Sequence, residues 1–221
     1  MRSYFVDGLH FAFLFLLLAF MLAGFAGIPY GAVIPVHWNW KGEIDGTLPR
    51  EWALLVPVAM GLLLWGVFLL MRRYMGNASV AASRYVLGAA ITGTTGLLCL
   101  VEATIALVGM GTEVPVVRVA ALAIAVFLIF VGNSLPKSQP NHWAGIRVRW
   151  TLDDARNWQL THRFAGIAWI LAGVGLGLVA LLVSSAPILS VAVLAALLLP
   201  NLGAVGYSYW LTLRSARDTR A

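Results

Sequence analysis

The sequence predicts an all-α integral membrane protein built as a bundle of six transmembrane helices. Hydrophobic residues make up 61% of the 221-residue chain and charged residues only 11%, whereas charged residues make up about a quarter of a typical soluble domain. A helix needs roughly 20 apolar residues to cross the hydrocarbon core of a bilayer. Apolar runs of suitable length take up most of the chain, so no stretch remains for a soluble domain of ordinary size.

The predicted spans follow one another with mostly short connections. The first run is longer than the apolar region of a usual signal peptide, so we interpret it as a retained helix rather than a cleaved signal. We expect the last span to be interrupted at Pro200 and Asn201. The predicted spans cover residues 9–28, 52–71, 85–110, 114–131, 164–183 and 187–213.

The basic residues are distributed unevenly between the two sides of this arrangement. Of the 15 Lys and Arg residues, 12 fall at the two chain ends and after the second and fourth spans. The positive-inside rule therefore predicts that both termini and residues 132–163 are cytoplasmic and that the loop at residues 29–50 is exterior. The formal net charge of +6 is explained by this topology, so we predict contact with the lipid bilayer and no direct binding of nucleic acid.

The predicted exterior loop carries a compact group of polar residues. Two carboxylates, Glu43 and Asp45, lie near a histidine in sequence, and such a group could hold a divalent metal. The alternative is an interfacial turn with solvated acids, and the sequence leaves the question of a metal open. The candidates for binding an exterior ligand are His37, Asn39, Gly42 and Asp45.

Glu102 is the only carboxylate well inside an apolar run. At helical spacing it shares a face with small and polar residues, which let neighbouring helices approach closely. An ionisable residue in a span is a functional candidate by default; the alternative is a protonated Glu that is hydrogen-bonded to another helix. Members of this face are Gly88, Thr92, Thr95, Cys99, Glu102, Ala106 and Gly109. Cys99 is the single cysteine of the chain, which excludes an internal disulfide.

Residues 132–163 form the longest polar segment, and their pattern predicts local structure. Gly132 and Asn133 suit a left-handed cap of the fourth span. Residues 146–150 alternate between apolar residues and arginine, which indicates a short extended piece. Thr151 with Asp154 resembles a capping box, which predicts that a helix starts there. One face of that helix continues into the fifth span and contains Trp158, Thr161 or His162, and Ala165.

Two groups of residues resemble known families. The signature of the SdpI family of bacterial membrane proteins is similar to Gly132-Asn-Ser-Leu-Pro-Lys137, Asn141, Gly145-Ile-Arg147, Trp150-Thr-Leu152, Trp158 and Thr161-His-Arg163. The domain of unknown function DUF1648, which commonly precedes it, resembles Pro35-Val-His-Trp-Asn39, Gly42 and Ile44-Asp-Gly46. We therefore predict a DUF1648-like region with two spans at residues 1–84 and an SdpI-like region with four spans at residues 85–221.

The resemblance implies a multi-pass protein of the bacterial cell membrane with two kinds of partner. One is a secreted peptide toxin, met outside, against which the protein gives immunity. The other is a cytoplasmic repressor, which the protein would hold at the membrane in signal transduction. The cytoplasmic positions implied are Asn133, Pro136, Lys137, Asn141, Gly145, Arg147, Trp150, Trp158, Thr161 and His162.

Other functional classes have weaker support in the sequence. No Gly-x-Ser-x-Gly or His-Glu-x-x-His motif is present, and catalysis would need a nucleophile with a base or a set of metal ligands. We therefore expect no enzymatic activity, no catalytic residue and no cofactor. The main alternative is a small-molecule or proton-coupled transporter that uses Glu102.

Overall fold

The computed structural model describes residues 8–218, and the side chains of residues 8–215, as six long helices with a small sheet and a folded polar segment. All six long helices are apolar enough and long enough to span a membrane. The predicted six-span, mainly helical fold is therefore confirmed. The chain ends lie outside the described residues, and the orientation of the bundle stays a prediction. The long helices are α1 Gly8–Gly27, α2 Arg50–Tyr74, α3 Asn77–Gly109, α4 Val116–Gly132, α6 Ala155–Leu182 and α7 Ala186–Asp218.

The helices form two groups of three, which meet where α3 packs against α4. In the first group, Leu17 of α1, Val58 of α2 and Cys99 of α3 share a buried cluster. In the second group, small residues such as Ala125 of α4 and Ala180 of α6 are fully or almost fully buried. Most outward side chains of both groups are large and apolar, as expected of helices that face lipid.

The two ends of the bundle carry different polar structures. We call the end that carries residues 33–49 the hairpin end, and the end that carries residues 133–154 the motif end. At the motif end, residues from α3, α6, α7 and the polar segment share one buried cluster. Its members are Val86, Leu135, Ala144, Ala165 and Ala204.

The loop at residues 29–50 contains a β-hairpin that the sequence analysis missed. Strand β1 Val33–Trp38 pairs antiparallel with β2 Ile44–Pro49, and the register is irregular around His37. Proline is uncommon within paired strands, so Pro35 and Pro49 hide the strands from a sequence pattern. Contact with the helices below stabilises the pairing, since Ile34 is buried against residues of α2 and α3.

Three predicted helix features are wrong, each for a local reason. Helix α3 begins at Asn77 rather than at residue 85, because helical structure continues beyond the apolar run into polar residues. Helix α7 is unbroken at Pro200, since other groups in a bundle can compensate for the missing backbone donor. Asn133 has a right-handed φ of −63°, so α4 does not end in a left-handed cap. The chain turns directly into a 3-10 helix, Leu135–Lys137.

Gly173 allows α6 to approach α4 closely, and this provides a first test of the fold. A Cβ atom at this position would lie 2.6 Å from the Ala125 carbonyl oxygen and 2.8 Å from an Ile129 side-chain atom. We expect Gly173→Leu to lower the free energy of unfolding by about 1–3 kcal/mol, as overpacking does. The measurement is the midpoint of thermal unfolding of the purified protein in detergent.

The matched control is Gly175→Leu, two residues along the same helix, where an added Cβ would meet nothing within 4 Å. Both variants add the same side chain to α6, so only the contact with α4 distinguishes them. Equal midpoints for the two variants would contradict the close approach of α4 and α6.

Candidate functional site

At the hairpin end, His37 and Asp45 pair across the two strands. The distance between His37 Nδ1 and Asp45 Oδ1 is 2.5 Å, and 71% of the His37 side chain and 42% of the Asp45 side chain are exposed. A pair this exposed contributes little stability. The two groups are therefore accessible at the hairpin end, and their role in binding an exterior ligand stays a prediction.

Asn39 and Gly42 build the hairpin turn. Asn39 Oδ1 accepts hydrogen bonds from the backbone N–H groups of Lys41 and Glu43, at 2.9 and 3.1 Å. Its Nδ2 donates to Glu43 Oε2 at 2.8 Å, and Gly42 has a φ of +84° that favours glycine. Among the described residues, no group of three or more His, Cys, Asp or Glu side chains could hold a metal ion. The geometry thus gives Asn39 and Gly42 a structural role.

Beneath the hairpin, a groove of about 740 Å³ opens between α3, α4 and α7. The hairpin strands and turn form one wall through His37, Trp38 and Trp40, and the remaining lining is mostly aliphatic. Ser190 of α7 donates a hydrogen bond to the Trp40 carbonyl oxygen at 3.0 Å, so the turn is joined directly to the bundle. His37 lines this apolar groove, and the exposed pair that it forms with Asp45 lies beside it.

Glu102 lies inside the first helix group. Its side chain is 0% exposed, and neither carboxylate oxygen has a hydrogen-bond partner among the described residues. The predicted face of α3 is largely buried, with Thr95 and Cys99 on one side of Glu102 and Ala106 on the other. Among the described residues, the structure therefore does not contain the alternative arrangement, in which Glu102 is hydrogen-bonded to a neighbouring helix.

At the motif end, His162 connects the polar segment to α6. His162 Nε2 accepts a hydrogen bond from the Ile146 N–H at 2.9 Å, and Nδ1 donates to the Trp158 carbonyl oxygen at 2.8 Å. Only the neutral tautomer with the proton on Nδ1 can make both bonds. The ring also stacks on Trp158 with centroids 4.1 Å apart. A Cβ at Gly145, which has a φ of +117°, would collide with His162, so this motif position requires glycine.

Other motif side chains also hold the same segment in place, through buried hydrogen bonds. Asn141 Oδ1 accepts from the backbone N–H groups of Trp143 and Ala144, each at 2.8 Å. Trp158 Nε1 donates to Ser138 Oγ at 3.1 Å. Buried groups of this kind satisfy a backbone that is not part of regular structure. Further contacts with the helices come from Pro136 against Gly166, Trp150 with Ser208, and Thr161 with Asn157.

The remaining motif residues are exposed. Asn133, Lys137 and Arg147 lie at the surface of the motif end, and Arg147 donates to the His142 carbonyl oxygen. The motif therefore has two parts: a buried scaffold and an exposed, mainly basic surface. Sequence alone could not separate them, because both parts are polar.

Two local predictions for this segment are corrected by the structure. Residues 149–153 form a short helix, α5 Arg149–Asp153, rather than the end of an extended piece. Asp154, not Thr151, caps α6, since its carboxylate accepts from the Arg156 N–H at 2.8 Å. Thr151 instead donates to the Ile146 carbonyl oxygen at 2.7 Å. The two residues therefore serve different elements and do not form one capping box.

Sequence reasoning also missed side chains that organise both ends. Ser138 and Asn157 are buried hydrogen-bonding residues at the motif end, and Trp40 and Ser190 join the hairpin to α7. Their partners lie up to 150 residues away in sequence. The one local signal was the position of Asn157 four residues before Thr161, on the helix face that was predicted to continue into the fifth span.

The His162 contacts predict the effect of removing this side chain. In His162→Ala the Ile146 N–H loses its acceptor, which costs about 1–3 kcal/mol for a buried group. We expect faster amide hydrogen exchange over residues 139–150, measured by mass spectrometry. His142→Ala is the matched control, because that side chain is exposed in the same segment. Exchange that rises equally in both variants would contradict a fastening role for His162.

Comparison with known proteins supports the sequence resemblance at the motif end. Residues 137–208 match the family model of the SdpI/YfhL protein family. Immunity protein SdpI of Bacillus subtilis (strain 168) is 26% identical over 184 residues, which cover 83% of this chain and 86% of that protein. No solved structure matches the chain. The DUF1648 resemblance of residues 35–46 lies outside the matched family region and stays a prediction.

The matched region contains eight of the ten motif positions and most of α6 and α7, and the relative's similarity extends over most of the chain. Together with six apolar helices, these matches support a multi-pass bacterial membrane protein. The chain is accordingly similar to the SdpI/YfhL protein family over residues 137–208 and to one immunity protein over most of its length.

Proposed function

We propose that this protein is a non-catalytic immunity protein that protects a bacterial cell against a secreted peptide toxin. The proposal is supported by the similarity to Immunity protein SdpI over most of both chains. The single observation that carries it is the groove beneath the hairpin, because it combines an apolar interior with an exposed polar rim. A peptide that acts on membranes presents both kinds of surface.

The dimensions of the groove suit part of a peptide. Its volume of about 740 Å³ lies within the range of roughly 300–1,000 Å³ that is typical of ligand pockets. Aliphatic side chains of α3, α4 and α7 would contact apolar toxin residues, and burial of apolar area would supply most of the binding free energy. His37 and Asp45 at the rim would orient polar groups of the toxin.

Binding of a cytoplasmic repressor would use the opposite end. Lys137 and Arg147 are exposed on a segment that buried hydrogen bonds hold in place. A rigid basic surface complements an acidic protein surface and directs its approach. Immunity and signalling would then use separate surfaces of the same bundle.

The groove predicts a variant that loses protection. Ala120 lines the groove from α4, so Ala120→Phe would occupy space that the toxin needs. We expect the tolerated toxin concentration to fall about tenfold or more, which corresponds to about 1.4 kcal/mol of binding free energy. The measurement is survival of a sensitive bacterium during challenge with secreted killing peptides. His37→Ala should also reduce this survival.

Two variants serve as controls at equal membrane levels. Ala59→Phe makes the same change at an exposed position on α2, outside the groove. Lys137→Ala changes the motif end, so it should leave survival unchanged and reduce capture of a repressor in a pull-down. Full protection by Ala120→Phe, or equal loss in Ala59→Phe, would exclude the groove as the toxin site.

Proton-coupled transport is a second candidate, and Glu102 is the observation that favours it. A buried carboxyl group within a span, with no hydrogen-bond partner among the described residues, can take up and release a proton. Such groups mark proton pathways in many transporters. This candidate needs the first helix group, whereas the immunity proposal needs the hairpin end.

Glu102→Gln separates the two candidates, because it keeps the side-chain shape and removes the titratable group. If the protein carries protons, proton flux into liposomes should fall about tenfold or more, as when one important proton-transfer group is lost. Glu113→Gln is the control, since Glu113 is exposed between α3 and α4. The same flux in the wild type, both variants and empty liposomes would rule out transport and leave immunity standing.

A further inference from the structure

A pocket at the motif end lies between the start of α6 and the last described turns of α7. Its volume is about 480 Å³. Polar and aromatic side chains dominate the lining, in contrast to the groove at the hairpin end. The side chains that matter for its chemistry are Arg156, Asn157, Leu160, Tyr207, Trp210 and Arg214.

Two guanidinium groups give the pocket its charge. Arg156 and Arg214 are exposed, and among the described side chains no carboxylate lies within 4 Å of either group. The Arg214 guanidinium carbon lies 5.5 Å from the centre of the Trp210 ring, which favours one orientation of the cation. Asp154 also lines the pocket, but its carboxylate accepts from the Arg156 N–H at the start of α6. The pocket therefore has a net positive lining.

The walls of the pocket are fixed by contacts between α6 and α7. Asn157 is buried and donates to the Ser208 carbonyl oxygen at 2.9 Å and to Thr212 Oγ1 at 3.1 Å. The Tyr207 ring stacks on Phe164 with centroids 4.8 Å apart. An anion that enters this pocket would meet cations on a preformed surface, so little ordering of the chain would accompany binding.

The surroundings place the pocket at the level of lipid headgroups. Tyr209 and Trp210 are about half exposed beside it, and such aromatic residues are enriched at the membrane–water interface. Leu160 and Leu211 add apolar surface to the lining. The pocket thus offers cations for a phosphate group and apolar contacts for the glycerol and first methylene groups below it.

We propose that this pocket binds the phosphate headgroup of an anionic phospholipid. Arg156 and Arg214 contact the phosphate oxygens, because a guanidinium group matches phosphate geometry with two parallel donors. Trp210 holds Arg214 in place, and the leucines contact the lipid backbone. Basic pockets between transmembrane helices are a known way to recognise anionic lipids. The site is independent of the toxin groove and lies at the other end of the bundle.

The test uses the purified full-length protein in detergent, with lipid retention measured by native mass spectrometry. Phosphatidylglycerol and phosphatidylcholine with identical acyl chains are compared, and inorganic phosphate is added in a separate arm. We expect phosphatidylglycerol to bind in preference to phosphatidylcholine. Arg156→Gln and Arg214→Gln should each weaken phosphatidylglycerol binding about fivefold, as expected for one cation near anionic lipid.

Arg149→Gln is the control, because it removes the same charge from an exposed residue of the motif end that does not line the pocket. Its affinity should equal that of the wild type. The variant that carries both Arg156→Lys and Arg214→Lys keeps the positive charge and should keep the preference for phosphatidylglycerol. Thermal unfolding of each protein without added lipid verifies that the variants are folded.

Three outcomes would overturn the proposal. The first is equal affinity for the two lipids in the wild-type protein. The second is a loss in Arg149→Gln as large as that in the two pocket variants. The third is full competition by inorganic phosphate at concentrations similar to those of the lipid, which would identify the ligand as free phosphate rather than a headgroup.

Discussion

The need to satisfy backbone polar groups away from water is the constraint on which this structure depends. Within the bilayer the constraint selects helices, since each helix makes its own backbone hydrogen bonds. At the motif end the chain leaves helical geometry for much of residues 138–148 while it remains packed between helices. There the hydrogen bonds come from side chains. Asn141 and His162 accept from backbone N–H groups, and Trp158 donates a hydrogen bond to the Ser138 side chain.

This requirement explains why the family motif contains so many polar and aromatic residues. His162 and Trp158 are fully buried and stacked, and Gly145 leaves the space that they occupy. A motif histidine is often interpreted as a ligand-binding or catalytic group. Here both ring nitrogens already have backbone partners, so its role in this state is to hold the segment. The surface that remains for partners is formed by Lys137, Arg147 and their exposed neighbours.

The two ends of the bundle differ in a way that suits different partners. The hairpin end offers an apolar groove with an exposed His37–Asp45 pair, whereas the motif end offers basic side chains and a polar pocket. Between them, the first helix group buries Glu102 without a partner among the described residues. A buried group of this kind is costly. Packing alone does not explain its presence in this interface.

The sequence by itself determined the number of spans, the uneven distribution of charge, the face of α3 that contains Glu102 and the residues that share a face at the start of α6. These features depend on apolar run length and helical period, which are local properties of the chain. Only the tertiary structure decided that residues 33–49 form a hairpin, that residues 149–153 are helical and that Asp154 caps α6. The hairpin groove and the pocket between α6 and α7 also required it, because each is lined by residues distant in sequence. Such contacts depend on which helices become neighbours, and no local pattern in the sequence contains that information.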